Sequence, residues 1–231
     1  MSKPVSNSAS LTSAPFTHEQ TSISRTMLLV MIALLPATVY GIYQFGLPGL
    51  FVFVLTIAAC IIFEAVCLII AGKPVKPYLL DGSAVLTGWL LAMTLPPWSP
   101  WWLATVGAFL AIVVGKQVFG GIGQNLFNPA MVARVALLIA FPLEMTSWVQ
   151  PQTMFSSGAP DFVDSLSITF SGSMPATYDA ISSATILGYV KTEIGRGIPL
   201  HDVLADNYDV LGLATGSVAG SLGETSACLL Y

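Results

Sequence analysis

Long apolar runs constrain this chain more than any other feature of its sequence. A helix needs roughly 20 apolar residues to cross a hydrocarbon core of about 30 Å, and in lipid a helix satisfies its own backbone polar groups. Only 9% of the residues are charged and 55% are hydrophobic, whereas roughly a quarter of a soluble domain is charged. The sequence therefore predicts an all-α membrane protein with several spans. Its long runs cover residues 27–46, 49–72, 100–115 and 128–146.

A shorter apolar run lies between the second and third of these. It extends from Gly82 to Leu95 and stops at Pro96-Pro97. Such a run is either a minimal span extended by its flanks or a broken, partly re-entrant helix. Counted as a span, it brings the predicted number of transmembrane helices to five.

The runs also divide the chain into four parts. Residues 1–26 are rich in Ser and Thr and lack apolar periodicity, which predicts a cytoplasmic arm. Residues 27–146 form the predicted transmembrane domain, and residues 147–210 form a loop outside the membrane. Residues 211–231 begin a further apolar segment that is too short to cross a bilayer. We therefore expect a truncated sixth segment and a longer, repeat-built protein.

Basic residues set the predicted orientation, because Lys and Arg are retained on the cytoplasmic side whereas acidic residues contribute little. Five crossings place the first five basic residues of the chain on one side. These are Lys3, Arg25, Lys73, Lys76 and Lys116. The sequence thus predicts a bacterial inner-membrane protein with a cytoplasmic amino terminus and a periplasmic loop at 147–210.

Two charged side chains lie inside the predicted spans, where a charge is costly unless it is paired, protonated or hydrated. Arg134 either snorkels to the cytoplasmic surface or has a buried partner. Glu64 lies deep in the second span. It is a candidate for ion or subunit contacts, with a purely structural role as the alternative.

The cysteines give no sign of a metal site or a disulfide framework. Cys60, Cys67 and Cys228 lie in apolar runs and form no CxxC pair. They predict packing roles, and a cluster of Cys60 and Cys67 with residues of other helices is the alternative.

Two glycine-rich polar stretches interrupt the membrane part, at residues 81–89 and 115–130. Neither has the sequence context of a nucleotide-binding loop. They predict either helix ends exposed at membrane depth, as at binding and translocation sites, or tight helix packing through glycine. The tripeptide Asn128-Pro129-Ala130 also caps the half-helices of water channels, but an Asn cap followed by Pro is a good start for any helix.

Several motifs spread over the chain resemble the NqrB/RnfD family. They are SAPFTH at 13–18, SAVLTGWLLA at 83–92, LPP at 95–97, PWW at 100–102, GKQ at 115–117, GGIGQNLFNPA at 120–130 and MTSW at 145–148. The resemblance implies a multi-span subunit of an ion-motive flavoprotein complex. It also implies half of an inverted-repeat fold similar to that of urea transporters.

The resemblance further implies a covalent flavin site. The family attaches flavin at D-[GA]-x-[ST]-[GS]-A-[ST], and residues 179–185 match this motif, with Ser183 where Gly is common. Thr185 is then implied to carry FMN through a phosphoester. The remaining motif residues include Asp179, Ser182 and Ala184. A second, non-covalent flavin such as riboflavin is compatible with the family, but no residue here identifies its site.

The short amino-terminal arm favours the RnfD branch of the family. That branch implies a subunit of an ion-translocating oxidoreductase that relays electrons between ferredoxin and NAD, coupled to Na⁺ or H⁺ movement. Expected partners are the Rnf subunits A, B, C, E and G, a periplasmic FMN transferase and membrane lipid, without nucleic acid. The alternatives are an NqrB-like subunit of a Na⁺-translocating NADH:quinone reductase and a non-redox channel or transporter. No catalytic or metal-ligating side chain is predicted.

Overall fold

The computed structural model describes residues 22–156, 158–172, 186–197, 199, 216 and 219–223, and all regular structure in these residues is helical. The helices are α1 (Ile23–Ile70), α2 (Val75–Leu79), α3 (Ser83–Thr94), α4 (Trp101–Phe109), α5 (Pro129–Ala140), α6 (Pro142–Thr146), α7 (Phe162–Leu166) and α8 (Ile186–Gly195). Two π-helical segments, Leu110–Val114 and Ser167–Ser171, and the 3₁₀ turn Gln117–Phe119 accompany them. The predicted all-α fold class is confirmed.

Helix α1 consists of two arms with a break at Gly46. Gly46 has φ 71° and ψ −159°, a conformation that only glycine adopts readily. Pro48 follows in the first turn of the second arm, where a proline is tolerated. The arms, residues 23–45 and 47–70, correspond to the first two predicted membrane runs.

Helix α3 shows the direction of the first arm. A Cβ at Gly82, just before α3, would lie 3.5 Å from Met27 and Met31 of that arm. Near the other end of α3, the sulfur of Met93 lies 3.4 Å from the hydroxyl of Thr38. The first arm and α3 therefore run in the same direction.

The second arm runs the opposite way. A Cβ at Gly88, in the middle of α3, would lie 2.9 Å from the Cα of Ile57. At the start of α3, Ser83 shares a hydrogen-bond partner, Lys116, with Glu64. The arm thus approaches the start of α3 as its residue numbers rise, and α1 is a helical hairpin.

The bundle has two distinct ends. We call one the basic end, because it carries Arg25, Lys73, Lys76 and Lys116. At this end the Lys73 ammonium donates to the carbonyl of Gly120 at 3.2 Å. The other, the far end, carries the turn at Gly46. At the far end the indole N–H of Trp98 donates to the carbonyl of Phe45 at 3.1 Å, and the N–H of Met154 donates to the carbonyl of Tyr43 at 2.9 Å.

Prolines shorten two of the helices. Helices α3 and α5 have 12 residues each, a length of about 18 Å that falls short of a hydrocarbon core. Helix α3 ends at Thr94, and the next residue, Leu95, is extended because Pro96 follows it. The prediction of one continuous helical run over 128–146 is wrong, because Pro142 separates α5 from α6.

The start of α5 confirms the helix-cap interpretation of the Asn-Pro-Ala tripeptide. The side-chain oxygen of Asn128 accepts a hydrogen bond from the N–H of Ala130 at 3.0 Å, and Pro129 occupies the first helical position. Both features are typical of an ordinary helix amino terminus.

Helix α3 lies at the centre of the bundle and packs on both arms of α1, on α4 and on α5. The largest buried cluster joins these helices and contains Val52, Leu91, Leu95, Leu103, Ala104, Ala111, Ala130, Ala133, Leu137 and Met145. Large apolar side chains also cover the outer surface, among them Leu29, Ile62 and Ile139. Two helical stretches, Ile23–Ile70 and Trp101–Phe119, are long and apolar enough to cross a membrane.

We expect Gly88→Ala to lower the free energy of unfolding by about 1–3 kcal/mol, the usual cost of overpacking. The added methyl group would meet the backbone of Ile57, which moves only if the helix moves. Gly195→Ala is the matched control, because nothing lies within 4 Å of a Cβ there. Unfolding in detergent, followed by helical circular dichroism, measures both. A Gly88→Ala variant as stable as the parent would contradict the tight contact.

Candidate functional site

A buried stripe on the second arm of α1 positions Glu64. Every fourth residue of this arm from Val52 onward is buried, namely Val52, Thr56, Cys60, Glu64 and Leu68. This spacing keeps the stripe on one helix face, which faces α3 and the Leu110–Val114 segment. Glu64 is therefore directed into the bundle and is only 2% exposed.

Lys116 reaches Glu64 because α4 widens into a π segment before it ends. The N–H of Gly115 donates to the carbonyl of Leu110 at 2.8 Å, five residues back. Lys116 then leaves helical geometry, with φ −127° and ψ −59°. Its side chain enters the bundle, where the residue is 2% exposed.

The two side chains form a buried ion pair. The Lys116 ammonium lies 2.9 Å from Oε1 and 3.0 Å from Oε2 of Glu64, and it donates to the hydroxyl of Ser83 at 2.7 Å. The side-chain amide of Gln117 donates to Oε1 of Glu64 at 2.7 Å. Burying two charges is costly unless additional hydrogen bonds satisfy them. Ser83 and Gln117 supply those bonds.

The start of α3 holds Ser83 in place. Gly82 adopts φ 79°, and Oδ1 of Asp81 accepts a hydrogen bond from the N–H of Ser83 at 2.7 Å. The hydroxyl of Thr87 donates to the carbonyl of Ser83 at 2.8 Å. The glycine-rich stretch 81–89 thus fixes one oxygen of the ion-pair site.

A small cavity adjoins the ion pair at the basic end. Glu64, Lys116, Gln117, Asp81 and Tyr78 line it. Its remaining lining residues are Leu68, Lys73, Gly120, Gly121 and Ile122. Gly120 and Gly121 have φ angles of 112° and 107°, which favour glycine. The second glycine-rich stretch therefore shapes a small cavity next to buried charges.

A larger cavity of about 400 Å³ opens at the far end. Trp98, Trp102 and Glu144 line it, together with Pro96, Ser99, Pro100, Ser147, Ile168, Ser171 and Gly172. Within the described residues, the hydroxyl of Ser99 is buried and has no hydrogen-bond partner. An orphaned buried hydroxyl is rare in native proteins. It marks this cavity as able to receive a polar group.

Arg134 has a partly buried partner at the end of α3. Its Nη1 donates to the carbonyl of Thr94 at 2.8 Å. That carbonyl belongs to the last turn of α3, where a cation complements the helix dipole. Of the two interpretations of Arg134, the structure supports the one with a partner inside the bundle, although the contact is only partly buried.

The structure describes only part of the predicted site. Glu64 is buried as predicted, and its role stays a prediction. The flavin motif residues Asp179, Ser182, Ser183, Ala184 and Thr185, as well as Cys228 and Lys3, lie outside the described residues. Sequence reasoning missed the pairing of Lys116, which it counted among the residues that set orientation. The sequence did hold a signal for this pairing. A buried carboxylate needs a partner, and Lys116 lies at the end of another apolar run.

Comparison with known proteins decides the family. A model of the NQR2, RnfD, RnfE family matches residues 10–231. The chain belongs to this family. It is 49% identical over 216 residues to a protein of Rhodobacter capsulatus that is named as the D subunit of an ion-translocating oxidoreductase complex. That alignment covers 94% of this chain and 59% of the relative.

Two further relatives carry the same name. The protein of Stutzerimonas stutzeri is 50% identical over 211 residues, which is 91% of this chain and 59% of the relative. That of Halorhodospira halophila is 47% identical over 220 residues, which is 95% of this chain and 61% of the relative. The predicted resemblance to the RnfD branch is confirmed. The chain spans about three-fifths of the length of these relatives.

We expect Glu64→Met and Lys116→Met each to lower the free energy of unfolding by about 3–5 kcal/mol, because each leaves an uncompensated buried charge. The double variant should recover most of this loss, since two apolar side chains of similar volume replace the pair. Titration with sodium dodecyl sulfate measures all three variants. Additive losses in the double variant would show that the two residues do not interact.

Proposed function

We propose that the protein is the D subunit of an Rnf-type complex in the bacterial inner membrane. In this role it carries FMN on Thr185 through a phosphoester and relays electrons between ferredoxin and NAD, coupled to Na⁺ or H⁺ movement. Its partners would be the Rnf subunits A, B, C, E and G and a periplasmic FMN transferase. The observation that carries the proposal is the near-complete alignment of this chain with relatives named as the D subunit of an ion-translocating oxidoreductase complex.

The far-end cavity supports the flavin part of the proposal. A flavin ring is flat and largely apolar with a polar edge, and indole side chains such as those of Trp98 and Trp102 stack on flat rings. The buried, unpartnered hydroxyl of Ser99 offers a hydrogen bond to such an edge. Gly172 lines the cavity, and Thr185 follows it by thirteen residues in the sequence. These side chains fit a flavin, whose ring would supply the electron transfer.

The two ends of the bundle support the proposed orientation. Four of the five basic residues used for the orientation lie at the basic end, whereas Gln152 and Met154 lie at the far end, near Gly46 and Tyr43. Lys and Arg favour the cytoplasmic side. The proposal therefore assigns the basic end to the cytoplasm and residues 147–210 to the periplasm.

A non-redox channel or transporter is the second candidate. The short helices α3 and α5 favour it, because interrupted helices accompany binding sites in transporters. An NqrB-like subunit is the alternative within the family, and the relatives at 47–50% identity favour the Rnf branch. Bound flavin that survives denaturation separates a redox subunit from a channel.

A reporter enzyme fused after Gln150 should be active in the periplasm. This follows from the far-end position of the neighbouring residues Gln152 and Met154 and the cytoplasmic preference of the basic end. A fusion after Lys76 is the control and should report the cytoplasm. Cytoplasmic activity of the Gln150 fusion would overturn the orientation.

Thr185→Val should abolish covalent flavin, because it removes the hydroxyl that the phosphoester needs while keeping nearly the same shape. Thr185→Ser should retain the flavin. A fluorescent band on a denaturing gel under ultraviolet light, together with intact mass, measures the attachment.

The neighbouring hydroxyls provide the controls for this test. Ser182→Ala and Ser183→Ala should each keep the fluorescent band, because the motif places the acceptor at its last position. Persistent fluorescence in Thr185→Val, or flavin mapped to either serine, would refute the assignment.

A further inference from the structure

Two buried hydroxyls lack a hydrogen-bond partner within the described residues, and both belong to segments that line the far-end cavity. They are Oγ of Ser99 and Oγ1 of Thr169, whose residues are 3% and 0% exposed. Ser99 lines the cavity itself, and Thr169 follows the lining residue Ile168. Native proteins rarely leave such groups unpaired without a functional reason. The two hydroxyls therefore indicate a ligand with polar groups at this end of the bundle.

Contacts of their own hold the two tryptophans of this cavity in place. The indole N–H of Trp98 donates to the carbonyl of Phe45 at 3.1 Å. The ring of Trp102 meets that of Phe141 edge-on, with 5.0 Å between the ring centroids. The cavity is thus formed before a ligand enters it, as is usual for cofactor sites.

Glu144 is the only ionisable side chain among the described residues that line the far-end cavity. The other lining side chains are indoles, hydroxyls and apolar groups. Within the described residues, the ion pairs are Glu64–Lys116 and Glu193–Arg196. No cation there neutralises the half-buried Glu144. The cavity therefore combines flat aromatic side chains with one acidic group that has no described counter-ion.

We propose that the ring of the flavin on Thr185 occupies the far-end cavity and that Glu144 lowers the reduction potential of this ring. The inference rests on the covalent flavin proposed above and adds a residue that tunes it. The part of Glu144 is electrostatic, so it neither forms a bond nor transfers a proton.

The direction of this effect follows from the sign of the charge that reduction adds. A flavin ring that takes up two electrons and one proton gains one negative charge, and charges of the protein near the ring tune its electronics. Like charges repel more strongly in a partly buried site than in water. An ionised Glu144 therefore favours the oxidised over the reduced ring, which lowers the potential.

A low potential suits the proposed relay of electrons from ferredoxin. Ferredoxins of the plant type have strongly negative potentials. The smaller the potential drop from the donor to the first carriers, the more free energy remains for ion movement. Glu144 would keep this drop small at the flavin of this subunit.

The test measures the midpoint potential of the covalent flavin in the intact protein, purified in detergent, by titration with dithionite and indicator dyes. Glu144→Gln should shift the equilibrium between oxidised and reduced ring about tenfold, which raises the two-electron potential by about 30 mV. Glu144→Asp should stay close to the unsubstituted protein, because it keeps the charge.

Asp161→Asn is the matched control, because it removes a carboxylate from the same end outside the cavity. Its neighbour Phe162 meets Phe51 at a centroid distance of 5.7 Å, and the Asp161 side chain makes no cap hydrogen bond to its helix. The potential should therefore stay unchanged. An unchanged potential in Glu144→Gln, or an equal rise in Asp161→Asn, would overturn the proposal.

A second measurement tests the cavity without the covalent link. Lumiflavin, which is the bare ring system, is added to Thr185→Val, and quenching of its fluorescence by nearby indoles gives a Kd. Adding Ser99→Ala should weaken binding about fivefold, the effect of one neutral hydrogen bond. The unfolding temperature without lumiflavin should not fall, since the Ser99 hydroxyl has no described partner to lose.

The two measurements separate this proposal from the assignment of Thr185. If the unsubstituted protein carries no covalent flavin but binds lumiflavin through Ser99, the Thr185 assignment fails and the cavity stands. Glu144→Gln should then raise the potential of the bound lumiflavin by the same amount. Absence of lumiflavin binding, or equal binding by the Ser99→Ala variant, would overturn the location of the ring.

Discussion

The buried ion pair of Glu64 and Lys116 is the interaction on which the arrangement of the basic end depends. It joins the second arm of α1 to the stretch that follows α4, and the hydroxyl of Ser83 adds α3 to the same point. A buried charge retains its partner only if the geometry is good and its remaining hydrogen bonds are satisfied. Any displacement of one of the three elements therefore weakens the hold on the other two.

Glycine contacts bring the helices close enough for this geometry. A Cβ at Gly88 would lie 2.9 Å from the backbone of Ile57, and one at Gly115 would lie 3.1 Å from the Cα of Pro129. Such close packing excludes water and strengthens electrostatic interactions. The far end has the opposite character, with a larger cavity between two tryptophans. One protein thus has a small charged site at one end and a larger cavity with two tryptophans at the other.

The sequence predicts much of this fold and only part of the site. Apolar runs identify the helices, and the Asn128 cap identifies the start of α5, because these signals are local. The buried position of Glu64 is also readable, since its run is apolar on both sides. The pairing of Glu64 with Lys116 is not readable from the sequence, because 52 residues separate them. Only the packing of α1 against α4 brings them together. Pro142 was a local signal for the break between α5 and α6, but the apolar composition of residues 128–146 favoured one continuous helix. The flavin motif was recognisable only through the family resemblance.

The π-helical winding of Leu110–Val114 determines the direction in which the side chain of Lys116 points from the helix axis. Each residue of an α-helix advances about 100° around the axis, and a π turn accommodates one residue more than an α turn. If the same residues were wound as a regular α-helix, the following lysine would be turned about 100° further around the axis, away from its position opposite Glu64, with no change in composition or hydropathy. The π winding of this short stretch is therefore as strict a requirement as the identity of either charged residue.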